Sequence, residues 1–165
     1  MEFINNGNLY HKIIQSGNGL SEAQTYIYFK QVLNALEFLH ENHLVHRDLK
    51  PENILITKKD IVKLCDFGCC VDIKNGFRET FCGTFEYMAP EIIKELPYNQ
   101  GVDTWSLGIL LYEMLHGNSP FCNKNDENQR DLSQIFKNIL MKKLNVKEEI
   151  SDSCKDLIKS KIIFY

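Results

Sequence analysis

Residues 46–53 read His-Arg-Asp-Leu-Lys-Pro-Glu-Asn, and the interpretation of the chain starts from this stretch. Thirteen residues after Asn53 comes Asp-Phe-Gly at 66–68, and Ala-Pro-Glu follows at 89–91. The 26 residues from 66 to 91 contain three glycines and a proline, with no sustained hydrophobic period. A loop of that length in a compact domain is unusual unless it is functional. The three stretches therefore mark a candidate functional region.

Hydrophobic spacing predicts the elements around this region. Helical spacing occurs in four segments: 21–40, 101–117, 132–143 and 151–163. Ser21 is a good N-cap for the first helix, and Gly117 is a good C-cap for the second, which is nearly all apolar. Ile27, Phe29, Leu33 and Phe38 add a second apolar face to the first helix, so we expect it to be largely buried. Residues 54–65 read as two short strands around a tight turn. The fold class is thus α+β, mainly α, with a small β-hairpin.

The composition is that of one globular domain. The chain has 165 residues, of which 44% are apolar and 25% charged, with a formal net charge of −3. This charge gives no whole-chain basic field, so we expect neither a nucleic-acid nor a membrane partner. The first residues lack the pattern of a signal peptide, and no stretch of about 18 apolar residues occurs. We expect an intracellular location, in the cytoplasm, the nucleus or both.

The cysteines give no metal or disulfide pattern. There are six, none of them in a Cys-x-x-Cys motif and none with a histidine at zinc-finger spacing. Because nothing in the sequence indicates secretion, we expect reduced thiols that are mostly packed.

The three stretches, in this order, resemble the catalytic-loop, metal-binding and activation-segment landmarks of eukaryotic protein kinases. The resemblance runs along the whole chain and implies the fold of a kinase C-terminal lobe. It also implies an enzyme that transfers the γ-phosphate of ATP to serine or threonine residues of protein substrates, with Mg²⁺ as cofactor.

The resemblance assigns a role to each residue of the core motif. Asp48 would accept the proton of the substrate hydroxyl, and Lys50 would reach the γ-phosphate. Asn53 and Asp66 would supply the hard oxygen ligands that Mg²⁺ prefers. Leu55 would form the apolar floor beneath the adenine.

The first nine residues resemble the hinge segment that joins the two kinase lobes. Met1 then falls at the gatekeeper position, and backbone groups of Glu2 and Ile4 would meet the adenine edge. Asn8 would lie near the ribose. The same segment is also compatible with a loop before a short helix.

Two further residues are assigned structural roles by the same resemblance. Asp103, in the apolar helix, would hold the catalytic-loop backbone by hydrogen bonds. Glu91 would pair with an arginine in a region that kinases carry beyond this segment.

The activation segment, residues 78–91, resembles that of Aurora-like serine/threonine kinases. Gly83 and Thr84 match the Gly-Thr of this segment, which faces the substrate. One departure from the Aurora pattern is Cys69, since those kinases usually have Trp directly after Asp-Phe-Gly.

The resemblance also implies a phosphorylation switch. Thr80, four residues before Thr84, would receive a phosphate that pairs with Arg47, because a planar guanidinium can meet two phosphate oxygens at once. Arg78 stands two residues before Thr80, which resembles a basic substrate sequence. Glu52 would then help to select substrates that are basic around the target residue.

Other kinase landmarks have no counterpart in the sequence. There is no Gly-x-Gly-x-x-Gly, no Val-Ala-Ile-Lys lysine and no partner glutamate for it. Residues 1–165 therefore read as a partial kinase domain, with hinge and C-lobe but without the N-lobe, and truncated at both ends. Two interpretations stay open: an incomplete copy of an active kinase, and a non-catalytic kinase-like fragment that acts as a binding or scaffold module. Retention of Asp48 and Asp66 favours the enzyme. On its own, the chain is expected to be inactive.

Overall fold

Six α-helices, three short 3₁₀ helices and four short strands occur in the part of the chain that this computed structural model describes, namely residues 4, 6–74, 76–121, 131–141 and 144–162. The helices are α1 (Leu9–Ser16), α2 (Glu22–Glu41), α3 (Pro90–Ile93), α4 (Gly101–His116), α5 (Leu132–Met141) and α6 (Asp152–Lys161). The strands are β1 (Leu44–Val45), β2 (Ile54–Ile56), β3 (Val62–Leu64) and β4 (Val71–Asp72). The predicted α+β, mainly helical fold class is confirmed. Among these helices, none is both long enough and apolar enough to span a membrane.

The local sequence explains where α2 and α4 begin and end. Ser21 and Gln24 form a reciprocal capping box at the start of α2, which satisfies two N–H groups that the helix leaves unpaired. At the end of α4, Gly117 adopts a φ of 82° and donates its N–H to the Glu113 carbonyl. Glycine takes up this left-handed conformation without steric cost. The predicted caps are therefore confirmed.

The core lies around α4, which packs against α2 on one side and α6 on another. The buried side chains of α4 include Leu107, Ile109, Leu110 and Met114. A Cβ built on Gly108 would lie 2.8 Å from the side chain of Ile162, so the absence of a side chain there lets the C-terminal end of α6 approach α4. This close contact makes α4 a rigid support for the loops above it.

The strands form two small antiparallel pairs. β2 pairs with β3 in the predicted hairpin, with Ile54 opposite Leu64. β1 pairs with β4, with Val45 opposite Val71. The second pair was not predicted, because two-residue strands carry no readable alternation. It brings the start of residues 46–53 against the segment that follows residues 66–68.

One prediction about packing is wrong. Ile27, Leu33 and Phe38 are 50%, 42% and 65% exposed, so the second apolar face of α2 is not buried. Only Phe29 of that face is buried, at 8% exposure. The hydrophobic spacing predicted the helix, but burial depends on a neighbour, and no other described element covers this face.

Candidate functional site

A buried carboxylate holds the loop that follows β1. Asp103, in the first turn of α4, is fully buried and accepts hydrogen bonds from the backbone N–H groups of His46 (2.9 Å) and Arg47 (2.8 Å). His40 at the end of α2 also contacts Asp103, with Nε2 at 2.9 Å from Oδ2. Arg47 has a φ of 66°, so the loop turns sharply at this point. The buried helix α4 thus fixes the backbone that carries Asp48.

Asp48 lies at the centre of a polar network. Its Oδ1 accepts a hydrogen bond from the Thr84 hydroxyl at 2.6 Å. Its Oδ2 lies 2.9 Å from Lys50 Nζ and accepts a bond from Asn53 Nδ2 at 3.0 Å. Lys50 Nζ also donates to Thr84 Oγ1 at 2.8 Å. Residues 48, 50 and 53 of one loop and Thr84 of another are therefore brought together around one carboxylate.

The network keeps Asp48 ionised. Burial on its own raises the pKa of this carboxyl, because a charged form is less stable away from water. The hydrogen bonds from Thr84, Lys50 and Asn53 and the positive charge of Lys50 oppose burial and outweigh it, so the Asp48 pKa lies below its ordinary value. At neutral pH the group is a carboxylate that can accept a proton.

Asn53 and Asp66 come from adjoining segments. The Cys65 N–H donates to the Asn53 carbonyl at 3.0 Å, which fixes the residue before Asp66 against the loop. Asn53 donates through Nδ2 to the Asp48 backbone oxygen at 2.9 Å as well as to its carboxylate. The two bonds use the amide donors of Asn53, so its side-chain oxygen is the group available to a cation.

The donor set fits Mg²⁺. Asp66 is exposed, adopts a φ of 61° and accepts a bond from the Gly68 N–H at 3.2 Å. One carboxylate and one amide oxygen are few ligands, but Mg²⁺ in phosphate-handling sites typically keeps waters and substrate oxygens as its other ligands. Within the described ranges no group of three or more His, Cys, Asp or Glu side chains could hold a metal. Asn53 and Asp66 remain the metal ligands that the resemblance to kinases predicts.

The candidate adenine side is formed by the chain before α1 and the hairpin. Asn8 bridges to Leu55 in antiparallel fashion and donates through Nδ2 to the Glu52 carbonyl at 3.3 Å. Ile4 is half-buried. Glu2 and Met1 lie outside the described residues. Asn8 is also the N-cap of α1, so a short helix does follow this segment.

Arg47 connects the catalytic loop to residues 69–80. Its Nε donates to the Cys69 carbonyl at 2.5 Å, and its Nη1 donates to Thr80 Oγ1 at 2.5 Å. The same Nη1 donates to the Tyr98 hydroxyl at 2.7 Å, which in turn donates to the Thr80 carbonyl at 2.7 Å. The structure therefore brings together Thr80 and Arg47, the two residues that the sequence paired. Tyr98 was not predicted, because nothing in its local sequence distinguishes it from a packed tyrosine.

Gly83 lies flat against the catalytic loop. Its φ is 115°, and a Cβ built there would lie 2.4 Å from the Arg47 carbonyl oxygen. Any larger residue would collide with backbone and would also have to adopt a strained conformation. Glycine at this position lets Thr84, the next residue, reach Asp48.

An acidic cluster lies beside the catalytic loop. The buried hydroxyl of Tyr87 donates to Glu113 Oε2, and Glu52 Oε2 is buried with no hydrogen-bond partner among the described residues. Burial raises the pKa of Tyr87 well above its ordinary value, and the negative charges of Glu113, Glu52 and Glu86 add to the effect. Glu113 was missed at the sequence level, because a glutamate inside an apolar helix shows no pattern of its own.

Two other residues are placed differently from expectation. Cys69 and Cys82 form a disulfide, with Cα atoms 6.1 Å apart, so the prediction that the thiols are reduced is wrong for this pair. The two cysteines are 13 residues apart in an irregular loop, and this spacing matches no cysteine motif that could have predicted the bond from the sequence. Cys65, Cys70 and Cys154 are free. Glu91, at the start of α3, lines a surface cavity of about 250 Å³ together with Trp105 and Lys161; its predicted arginine partner remains a prediction.

Comparisons with known proteins show which family the whole chain resembles. The profile of the protein kinase domain matches residues 1–163. The serine/threonine-protein kinase Sgk1-B of Xenopus laevis is 39% identical over 160 residues, which make up 96% of this chain and 35% of the relative. The Aurora kinase of Encephalitozoon cuniculi is 37% identical over 158 residues, or 96% of this chain and 57% of the relative.

A second Aurora kinase, from Dictyostelium discoideum, is 40% identical over 158 residues, covering 96% of this chain and 39% of the relative. The chain therefore spans between about a third and somewhat over half the length of these curated relatives. Sgk1 and Aurora kinases match it equally well, so the similarity does not assign it to either group.

Proposed function

Because the chain belongs to the protein kinase family, we propose that it carries the catalytic and substrate-binding part of a serine/threonine kinase that uses ATP. The observation that supports this most directly is the Asp48 network, in which an aspartate, a lysine and a threonine hydroxyl meet within 2.6–2.9 Å. A hydroxyl thus fits against the carboxylate with a cation beside it, as phosphate transfer to a hydroxyl requires.

Asp48 and Lys50 have different roles in this proposal. Asp48, held ionised by its donors, orients the substrate hydroxyl and takes its proton as the oxygen attacks the γ-phosphate. Lys50 places a positive charge beside the same point and offsets the negative charge that develops on the transferring group. Thr84 supports both side chains from the opposite loop.

ATP and Mg²⁺ complete the proposed site. Asn53 and Asp66 would hold the metal, which when bound neutralises charge on the ATP phosphates. Asn8 and Leu55 are adjacent and offer a polar group for the ribose and an apolar surface for the adenine. Glu2 and Ile4 are proposed to meet the adenine edge through their backbones.

Control by phosphorylation of Thr80 is the finer part of the proposal. The Thr80 hydroxyl already lies 2.5 Å from Arg47 Nη1, and Thr80 is exposed to a modifying enzyme. A phosphate there adds about −1.5 to −2 charge beside a guanidinium. The stronger pair would fix the activation segment, with Gly83 and Thr84, against the catalytic loop.

Substrates are proposed to be basic around the target residue. Glu52 Oε2, which is buried and has no hydrogen-bond partner in the described part of the chain, lies near the Tyr87–Glu113 pair, and a carboxylate in such a position gains most from a cation. We propose an intracellular location, cytoplasm or nucleus, where ATP is available. The Aurora-like subgroup also stays a proposal, supported by the activation-segment sequence.

The alternative is a non-catalytic module of kinase-like fold that binds a partner. The exposed apolar face of α2 favours it, since such faces often bind other proteins. Intact Asp48, Lys50, Asn53 and Asp66 favour the enzyme, because a scaffold does not need them.

The deciding experiment measures phosphate transfer from ATP to a basic serine peptide. The chain is fused behind an ATP-binding kinase N-lobe, and Asp48→Asn and Asp66→Asn are compared with Asp152→Asn, a control whose side chain is 96% exposed. We expect transfer by the unaltered fusion, loss by about 10²-fold or more in the first two variants, and no change in the control. Transfer that survives both substitutions would overturn the proposal, and no transfer by a folded, ATP-binding fusion would favour the scaffold.

A further inference from the structure

The disulfide between Cys69 and Cys82 closes the segment that contains Thr80. Cys69 directly follows the Asp-Phe-Gly stretch, and Cys82 directly precedes Gly83. Both cysteines are half-buried, so small oxidants and reductants can reach them. The bond therefore joins the end of the candidate metal-binding stretch to the start of the substrate-facing stretch.

Contacts to the rest of the molecule restrain the same segment at Cys69, at β4, which pairs with β1, and at Arg78 and Thr80. Arg47 donates to the Cys69 carbonyl and to the Thr80 hydroxyl. Arg78 forms a two-way backbone bridge with Tyr98, at 3.0 and 2.9 Å. Because Cys69 and Cys82 stand at the two ends of the segment that makes these contacts, a bond between them limits how far the segment can move when any one contact breaks.

We propose that Cys69 and Cys82 form a reversible oxidative modification site, in which a peroxide closes the disulfide and holds Arg78 and Thr80 against Tyr98 and Arg47. The inference rests on the proposed function in one respect, the intracellular location. In that location thiols are kept reduced, and the disulfides that do form are usually transient and regulatory. A pair poised across an activation segment fits that regulatory use.

The chemistry balances with a peroxide as oxidant and a dithiol protein as reductant. The thiolate of one cysteine attacks hydrogen peroxide, which forms a sulfenic acid and releases one water after proton transfer. The second thiol attacks the sulfenic sulfur, so that the S–S bond forms, the S–O bond breaks and a second water leaves. In the reverse direction, a dithiol passes two electrons and two protons to the pair and becomes a disulfide itself.

Cys70 provides the matched control for this site. It is the immediate neighbour of Cys69, is also half-buried and is free. Burial and the nearby Asp103 charge raise the pKa of Cys70, despite the opposing Arg47 charge. The raised pKa favours the protonated thiol, which reacts less readily than the thiolate. Serine at position 70 removes a thiol from the same stretch but keeps the Cys69–Cys82 pair.

The experiment uses the 165-residue chain, first fully reduced and then treated with hydrogen peroxide. Mass spectrometry after alkylation counts free thiols and identifies the linked peptides. Limited trypsin digestion then follows cleavage after Arg78, inside the closed segment, with cleavage at the exposed Lys58 and Lys59 turn as internal reference. We expect closure to slow cleavage at Arg78 by roughly tenfold or more and to leave the reference unchanged.

The variants make the result specific. Cys70→Ser should behave like the unaltered chain, whereas Cys69→Ser and Cys82→Ser should neither form the bond nor gain protection. The comparison of reduced with oxidised unaltered chain stands even if a variant fails to fold.

Four outcomes would overturn the proposal: both thiols remain free under peroxide, Cys70 replaces Cys69 in the linkage, a thioredoxin-class dithiol fails to reopen the bond, or closure leaves Arg78 cleavage unchanged. No readout involves ATP or phosphate transfer, so failure here leaves the kinase proposal untouched.

Discussion

At the scale of single residues, the ionisation of Asp48 depends on a hydroxyl from another loop. The first prediction is that Thr84→Val raises the Asp48 pKa, because the substitution removes the hydrogen bond to Oδ1 and keeps the shape of the side chain. A hydrogen bond to a charged group contributes about 1.5–3 kcal/mol, so the folded state should lose stability of that order at neutral pH. The carboxyl carbon of Asp48, followed by NMR through an acid titration, gives the pKa directly.

Thr84→Ser is the control for this prediction, since it retains the hydroxyl and should keep the Asp48 pKa low. Because the folded-state pKa lies below the ordinary value, the stabilising effect is full above the ordinary aspartate pKa and is lost as pH falls through the lowered value. Equal titration curves for the valine and serine variants would contradict the assigned contact.

Gly83 gives the second prediction, and Gly76 is its natural control. Both have a positive φ, at 115° and 100°, but a Cβ on Gly83 would lie 2.4 Å from the Arg47 carbonyl, whereas nothing lies within 4 Å of one on Gly76. Both alanine variants pay the conformational penalty, of order 1–3 kcal/mol. Only Gly83→Ala must also displace backbone, so it should be the less stable of the two in urea unfolding. Equal losses of stability in Gly83→Ala and Gly76→Ala would show that the backbone around Gly83 can move away from Arg47 without further cost.

Elements differ in how far the sequence predicts them. The helix α4 and its cap were predictable, because apolar composition and Gly117 are local features. The Asp103 contacts with residues 46 and 47 were predictable only through the family resemblance, since 56 residues separate Arg47 from Asp103. The β1–β4 pair, the Tyr98 contact and the Cys69–Cys82 bond depend on chain paths that no local pattern encodes.

The junction of α2 and α6 supports the third prediction. Glu22 accepts bonds from the Ser151 N–H at 2.7 Å and from the Ser151 hydroxyl at 2.8 Å. The backbone bond, followed by the hydroxyl bond, lowers the Glu22 pKa against the smaller opposing effect of burial. The contribution of Glu22 to stability is therefore full above the ordinary glutamate pKa and disappears as pH falls through the lowered value.

Glu22→Gln should thus be less stable than the unaltered chain at pH about 7, and the difference should close as pH falls towards about 3. Urea unfolding at a series of pH values measures the difference. Glu41→Gln, at the opposite end of α2, is the control for removing a glutamate from the same helix away from Ser151. A gap that stays constant with pH would contradict the role of the Glu22 charge.

The link between catalytic loop and activation segment gives the fourth prediction. In the kinase-lobe fusion, Thr80→Ala and Arg47→Ala should each lower phosphate transfer, roughly tenfold, since each removes one side of the same pair. The double variant should be no worse than the more damaging single variant. Glu79→Ala, an exposed neighbour, should leave transfer unchanged. If the double variant instead lost phosphate transfer by the product of the two single losses, the two residues would act independently.

At the scale of the whole molecule, the described residues form one surface of the proposed nucleotide site, supported by the helices beneath it. Asn8 and Leu55 lie on one side of it, and Asn53 and Asp66 provide the candidate metal ligands. The glycine-rich motif that covers ATP phosphates in the kinase family does not occur among the 165 residues. Contacts on a single side leave much of a bound nucleotide in water, which limits its affinity.

The fifth prediction follows from this one-sided arrangement. The 165-residue chain with Mg²⁺ should bind ATP with a Kd weaker than about 1 mM, whereas a fusion to a kinase N-lobe should bind with a Kd well below that value. Isothermal titration calorimetry measures both, and Asp66→Asn in the fusion should weaken binding of ATP with Mg²⁺ more than binding of ATP without it. Micromolar binding by the chain alone would mean that its own residues enclose the nucleotide, and the one-sided site would be wrong.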